Sequence, residues 1–383
     1  MKGLIKDIQL IPVNFKSTNW DQSTYVVKII DENGQYGIGE CDGPIDVMEG
    51  IFSMESAHLW SMNPKDIIIG KDPLDAAAIW NKLYESLLWQ GRRGLALFAI
   101  SGIDIALHDL AGKQLGIPTY QLIGGANKEY ATPYMTLYPE SSGTGSLKEL
   151  MGEYELLFEK SKKLGVKAVK LAIMPGEEVS DTKLIDFINE ARTKLGYEVD
   201  MMVDFLYRWT DPYDVINALK KLEKSNLYFA EAILQHDDIE GHKKVVDKTD
   251  MRICGAEMAT GIYEIKQWVE NSGVAIVQPD INRCGGLSEI RRITEFCDLY
   301  GVQVIPHGWK TGITASCGIH YHISSKNGKY FEYLHPELYP SPMRENLVKP
   351  EAKIIDGRFN KPTRPGLGID LNDEFLTSIR KRD

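Results

Sequence analysis

Six ionisable residues recur at nearly even intervals through the second half of the chain, each at or near the end of a short apolar run. They are Asp204 in MMVD, Glu231 in LYFAE, Glu257 in MRICGAE, Asp280 in VAIVQPD, His307 in VQVIPH and Glu332 in KYFEYL. Successive gaps are 27, 26, 23, 27 and 25 residues. A gap of that size holds a strand, a loop, a helix and a second loop. Strand-sized apolar runs alternating with helical patterns indicate parallel βαβ units. If such units close into a barrel, every strand ends at one mouth, and residues far apart in sequence converge there. The expected fold is therefore α/β, a (β/α)8-type (TIM-like) barrel.

At 383 residues the chain has room for one to three domains. Its net charge of −10 disfavours nucleic acid and anionic membrane surfaces as partners. A small anionic substrate stays compatible, because a bound divalent cation reverses the local potential. No unbroken apolar run reaches the length of a membrane span. The opening MKGLIKDIQLIPVNF alternates polar and apolar residues and lacks the pattern of a signal peptide. Cys41, Cys254, Cys284, Cys297 and Cys317 are scattered, without CxxC spacing. They are expected to be reduced thiols in a cytoplasmic protein.

Taken in order, residues 1 to about 60 show period-two alternation, with Asn33-Gly34 as a hairpin turn. The polar stretch NFKSTNWDQ (14–22) is either a surface loop or a flap whose Trp20 supplies specificity. Residues 73–115 carry helical spacing, closed by Gly116 and Pro118. Asp104 and His108 share a face there, which suits a satisfied polar pair better than a metal site. Arg92 and Arg93 read as ordinary surface or interface charges. Beyond 126, YATPYMTLY (130–138) and VKAVKLAI (166–173) read as strands, which with the six runs above makes about eight. P-loop, GxSxG and GxGxxG motifs are absent from the sequence, and Cys284-Gly285-Gly286 alone is weak evidence for a phosphate cradle.

Asp204, Glu231 and Glu257 would close three successive strands. Three carboxylates at one mouth repel one another unless a cation joins them, and an all-oxygen set suits Mg2+, with Mn2+ as a substitute. Asp280 and His307 follow on adjacent strands, so the Asp can orient the imidazole and leave its other nitrogen to take a proton. His108, His320 and His322 read as structural histidines. Lys170 would point to the same mouth, Lys167 to the other face. Glu332 would donate a hydrogen bond to a developing oxyanion if neighbouring acids raise its pKa.

Taken together these residues resemble the enolase superfamily, specifically its mandelate racemase subgroup, over nearly the whole chain. AISGIDIALHDLAGKQLGIPTYQLIGG (99–125), EAILQHDDIEGH (231–242), VQPDINRCGG, VIPHG and YFEYL carry the likeness. The resemblance implies an α+β capping domain (1–125), a modified barrel with the active site (126–345) and a C-terminal segment (346–383), in which PGLGIDL packs back on the cap. It implies Mg2+ on Asp204, Glu231 and Glu257, a His307–Asp280 dyad and Glu332 as electrophile. It also implies a homo-oligomer. One departure matters. Many members carry Lys-x-Lys on the second barrel strand, whereas here the stretch is Lys170-Leu171-Ala172, without the second base that racemisation needs.

The expected chemistry is therefore dehydration of a sugar acid (aldonate) to a 2-keto-3-deoxy acid, with His307, Asp280, Lys170 and Glu332 as catalytic residues. Among acid-sugar dehydratases, the sequence looks most like the rhamnonate dehydratase-like group. Trp20, Tyr207 and Trp309, on loops around the mouth, are candidates for substrate binding. Two alternatives remain at this stage: an epimerase or cycloisomerase working through the same enediolate, and a non-catalytic ligand-binding relative.

Overall fold

In the computed structural model, which describes residues 3–16, 21–339 and 341–380, the chain opens with an antiparallel sheet of three strands. These are β1 (Ile5–Lys16), β2 (Asp21–Asp31) and β3 (Tyr36–Cys41). Pairing of β1 with β2 continues to Lys16 opposite Asp21, so the strands run into the stretch expected as a loop at 14–22. Trp20 lies outside the described residues. Gly34 takes the left-handed conformation (φ 80°) that the tight turn requires. The alternation expected to about residue 60 ends at Cys41, and helix α1 (Ile45–Ser53) follows. Its buried Met48, Ile51 and Phe52 recur at helical spacing, which overrides the strand pattern.

Helices α2 (Pro64–Ile68), α3 (Ala76–Ser86) and α4 (Leu95–Leu115) complete this first unit. The helical stretch expected at 73–115 is interrupted at Gly91 and Gly94, both at positive φ. By length and composition α4 would pass for a membrane span, yet nearly all of it is buried inside the fold. Asp104, His108 and Asp109 break its apolar run in sequence and are buried with it. Against it lies β3, so close that a Cβ on Gly39 would stand 1.9 Å from the Gly102 carbonyl oxygen.

After the short β4 (Tyr130–Ala131), strands and helices alternate: β5 (Pro133–Leu137), α5 (Leu147–Lys163), β6 (Ala168–Ala172), α6 (Asp181–Leu195), β7 (Asp200–Asp204), α7 (Pro212–Lys221) and β8 (Leu227–Glu231). Then come α8 (Ile239–Val246), β9 (Ile253–Gly255), α9 (Ile262–Asn271), β10 (Ile276–Val277), α10 (Gly286–Tyr300), β11 (Gln303–Val304), α11 (Gly312–Ser324) and β12 (Phe331–Tyr333). Local chemistry sets the helix starts. Ser146 and Glu149 form a capping box at α5, and Asp211 caps α7 ahead of Pro212. The eight strands form one parallel sheet in the order β11-β10-β9-β8-β7-β6-β5-β12. The sheet curls until its edges meet, where the Glu332 N–H donates to the Pro306 carbonyl at 3.3 Å.

The last segment contains α12 (Pro342–Asn346), β13 (Val348–Lys349), β14 (Phe359–Asn360), β15 (Asp370–Leu371) and α13 (Asp373–Arg380). It returns to the first unit: the Leu367 N–H donates to Asp109 Oδ1 at 2.7 Å, and the Thr119 N–H to the Gly366 carbonyl at 2.8 Å. All five cysteines are buried and unpaired.

Candidate active site

Strand parity builds the site. One apolar cluster inside the curled sheet contains Tyr134, Ala168, Met202, Phe229, Ile276, Ile305 and Tyr330. Side chains two residues apart share a face. Two residues further along the same chain stretches stand Thr136, Lys170, Asp204, Glu231, Gln278, His307 and Glu332. The interior therefore changes from apolar to polar at one level, at the C-terminal ends of the strands. Glu332 sits within its strand, Asp204 and Glu231 end theirs, and Glu257, Asp280 and His307 stand two or three residues beyond.

Lys170 is the central cation. Its Nζ lies 2.9 Å from both Glu231 oxygens and 3.0 Å from Glu332 Oε1, with 2% of the side chain exposed. Burial alone would favour the neutral amine, but Glu231 and Glu332 hold its pKa well above the ordinary range. Burial raises the Glu231 carboxyl to about 8, with Lys170 offsetting part of the effect and Asp204 adding to it. Burial raises the Asp204 carboxyl to about 6, with Lys170 offsetting part of the effect and Glu257 adding to it. Glu332 behaves oppositely to the sequence-based expectation. Burial raises it, but Lys170 and His307 more than offset that, leaving its pKa at about 2. It accepts hydrogen bonds from Thr136 Oγ1 and, at 3.0 Å, from the Gly308 N–H. In this state Glu332 is an acceptor, not a donor.

His307 Nδ1 lies 2.6 Å from Asp280 Oδ2. The other Asp280 oxygen accepts the Asn282 N–H at 2.7 Å, and the carboxylate is wholly buried. His307 Nε2 is left facing Glu257 Oε2 at 3.5 Å. Burial lowers the imidazole pKa, while Asp280, Glu257 and Glu332 raise it further, to about 9. Tyr207 donates its hydroxyl to Glu257 Oε1. The backbone is strained beside all three acids: Leu206 (φ 54°), Tyr207 (φ 58°), Ala232 (φ 49°) and Ala256 (φ 72°) hold left-handed conformations without being glycine.

Trp309, two residues past His307, is half-buried beneath Lys310, whose Nζ stands 5.6 Å from its ring centre. Asp104 and His108 form a polar pair: His108 Nδ1 contacts the Asp104 carbonyl at 2.8 Å, and Asp104 accepts the Ser288 N–H at 2.9 Å. His320 is likewise engaged within the fold, through Tyr120 N–H and the Leu367 carbonyl. Residues that sequence reasoning missed include Thr136 on the strand beside Lys170, Tyr138 just past the end of that strand, and Glu40 and Asp42 from the first unit. Thr136 and Tyr138 carried a signal, their parity with the other inward positions; Glu40 and Asp42 carried none.

The arrangement can be compared with known proteins. Residues 155–375 match the family profile described as enolase C-terminal domain-like. Residues 4–124 match the mandelate racemase / muconate lactonizing enzyme N-terminal domain. The chain belongs to the enolase superfamily. It falls in the mandelate racemase subgroup.

The D-galactarolactone cycloisomerase of Agrobacterium fabrum is 28% identical, over 97% of this chain and 95% of its own. The L-rhamnonate dehydratase of Saccharopolyspora erythraea is 27% identical, over 92% and 84%. A crystal structure provisionally described as a racemase shares 50% identity and superposes with a TM-score of 0.95, over 98% of both chains.

Superfamily members generally bind Mg2+. As they stand, no three His, Cys, Asp or Glu among the described residues are drawn together at metal-holding separation. Glu231 is gripped by Lys170, and Glu257 by Tyr207 and His307. The donor chemistry nevertheless fits a hard dication: three oxygen acids at the ends of consecutive strands of one sheet, with burial raising the Asp204 carboxyl.

Proposed function

We propose that this chain is a Mg2+-dependent hydro-lyase that dehydrates a sugar acid, an aldonate, to a 2-keto-3-deoxy acid. The observation that carries the reading is the asymmetry of the mouth. One imidazole is oriented by a buried carboxylate, and the lysine of the second barrel strand is locked as an ammonium between Glu231 and Glu332. A single base suits elimination, in which one face of the α-carbon loses a proton. Racemisation needs a second base opposite.

Asp204, Glu231 and Glu257 would hold the cation. When bound, it supplies neutralisation of these acids, a lower pKa for His307 and polarisation of the substrate carboxylate. With Nδ1–H committed to Asp280, His307 Nε2 takes the α-proton. The electrons move into the carboxylate, and the Lys170 ammonium faces the charge that develops there. Glu332 keeps that ammonium in place and protonated. The β-hydroxyl leaves as water with the proton returned from His307, and the enol tautomerises to the 2-keto acid. Tyr207, Trp309 and the stretch containing Trp20 contribute to substrate selection. The same proposal makes the protein a cytoplasmic homo-oligomer whose partner is a small sugar acid.

A second reading has specific support. The cycloisomerase relative and the 50%-identical structure described as a racemase carry isomerase names. Isomerisation would begin with the same proton abstraction and end in reprotonation instead of loss of water. The test is a panel of aldonic and aldaric acids with Mg2+, assayed for 2-keto products beside His307→Asn. Turnover by the parent and a fall of about 10²–10⁴-fold in the variant supports the dehydratase. Epimer or lactone interconversion without a keto product would replace it with the isomerase.

A further inference from the structure

The end of β3 in the first unit places two acids, Glu40 and Asp42, two residues apart and so on one face of the chain. Both reach the two loops that carry the dyad. Glu40 is fully buried. Its Oε2 accepts Thr311 Oγ1 at 2.8 Å and Thr314 Oγ1 at 2.7 Å, four and seven residues past His307. The same oxygen accepts Asn282 Nδ2 at 3.4 Å, two residues past Asp280. Its other oxygen accepts Thr24 Oγ1 at 2.6 Å, within the sheet. Asp42 repeats the pattern with cations. Its Oδ2 takes Arg283 Nε at 2.6 Å and its Oδ1 takes Lys310 Nζ at 2.9 Å. Arg283 and Lys310 each lie three residues past a dyad member.

A continuous hydrogen-bonded path results. Glu40 holds the Asn282 side chain, the Asn282 N–H holds Asp280 Oδ1, and Asp280 Oδ2 holds His307 Nδ1. We propose that Glu40 and Asp42 are positioning residues, a two-carboxylate bracket by which the first unit sets the separation of Asp280 and His307.

The physical case rests on cost and reach. Glu40 is wholly buried, burial raises its pKa, and its hydrogen-bond partners among the described residues are all uncharged, an expensive arrangement for an acid with no further task. Neither dyad loop is joined to the other by sheet pairing where the dyad sits, because β10 ends at Val277 and β11 at Val304. Beyond those points Asn282 Nδ2 donates directly to Thr314 Oγ1, and the bracket adds the cross-links through Glu40 and Asp42. General-base geometry is sensitive on the scale of an ångström.

This inference rests on the catalytic reading of His307 for its kinetic arm only. Glu40→Gln and Asp42→Asn would be prepared in the full chain. Crystal structures of both read the His307 Nδ1–Asp280 Oδ2 separation directly, with no substrate needed. The separation, 2.6 Å here, is expected to open past hydrogen-bonding range in at least one variant. With an acid turned over by the parent, kcat is expected to fall roughly ten- to a hundredfold with KM within about twofold, while the weakened buried contacts lower Tm. Should Glu40→Gln fail to fold, Asp42→Asn alone decides. An unchanged separation, or KM and kcat moving together, overturns the proposal. Lack of turnover in the parent counts against the dehydratase and leaves the crystallographic arm to judge the bracket.

Discussion

Lys170 shows how one residue sets the electrostatics of a site. Its ammonium is enclosed by two carboxylates and is almost fully buried. Removing the charge leaves Glu231 and Glu332 buried without their cation, and breaking such a group costs about 3–5 kcal/mol. Lys170→Met is therefore expected to lower unfolding free energy by roughly that amount in Mg2+-free buffer, measured by urea denaturation. A loss below about 1 kcal/mol would mean that solvent already screens these acids. His320 offers a second test. Its Nδ1 accepts the Tyr120 N–H at 3.0 Å and its Nε2 meets the Leu367 carbonyl at 3.2 Å, so the neutral ring is fully used. Burial depresses its pKa from 6.5 to about 4. The unfolded chain then binds the proton first, and the stability present above pH 6.5 is lost as pH falls toward 4. At pH 5 this amounts to about 2 kcal/mol. Urea midpoints at pH 7 and pH 5 should differ less in His320→Gln than in the parent, and an equal difference would remove His320 from the account.

At the scale of elements, the contact between β3 and α4 governs how the first unit is assembled. Gly37 and Gly39 allow the strand to lie directly on the helix backbone, with the positions of missing Cβ atoms 2.1 Å from the Ala106 oxygen and 1.9 Å from the Gly102 oxygen. Backbone cannot move aside as a flexible side chain can. Gly39→Ala is expected to cost about 2–3 kcal/mol, read as a fall in Tm. It should also displace the neighbouring Glu40, and with it the Asn282 contact. A variant of parental Tm would show that strand and helix separate more easily than this packing implies. The barrel helices, by contrast, start where the local sequence asks them to. Ser146, Ser180 and Asp211 each cap a helix that follows a strand of the sheet or its loop.

For the whole molecule, the site is a convergence of carboxylates whose mutual repulsion the native fold must hold. A dication bound to the folded state alone stabilises it by mass action, about 2.7 kcal/mol at a hundredfold excess over Kd. Mg2+ is expected to raise the Tm of the parent, EDTA to reverse the shift, and Asp204→Asn to abolish most of it. An equal Mg2+ response in the variant would place the ion elsewhere. The first unit and the C-terminal segment also meet on α4, where Asp109 accepts the N–H groups of Ile38 and Leu367. Residues some 70 and 258 positions apart from Asp109 thus share one buried carboxylate.

By itself, the sequence determined the alternation of strands and helices, since apolar periodicity and capping residues act locally. It also determined where charge breaks each apolar run, and hence the six positions from Asp204 to Glu332. The family followed from those same stretches. It was misleading where two local patterns competed, as at 45–53, where strand-like alternation gave way to the buried helical stripe of Met48, Ile51 and Phe52. Tertiary structure alone decided the state of the site residues. Glu332 is an ionised acceptor because Lys170 stands beside it, and Lys170 is locked because Glu231 ends a strand two places away in the sheet order. The reach of Glu40 and Asp42 to loops more than 240 residues onward depends on how the first unit docks on the barrel. Distance in space, burial and the sign of neighbouring charge set a pKa or a hydrogen bond, and none of these is a property of sequence order.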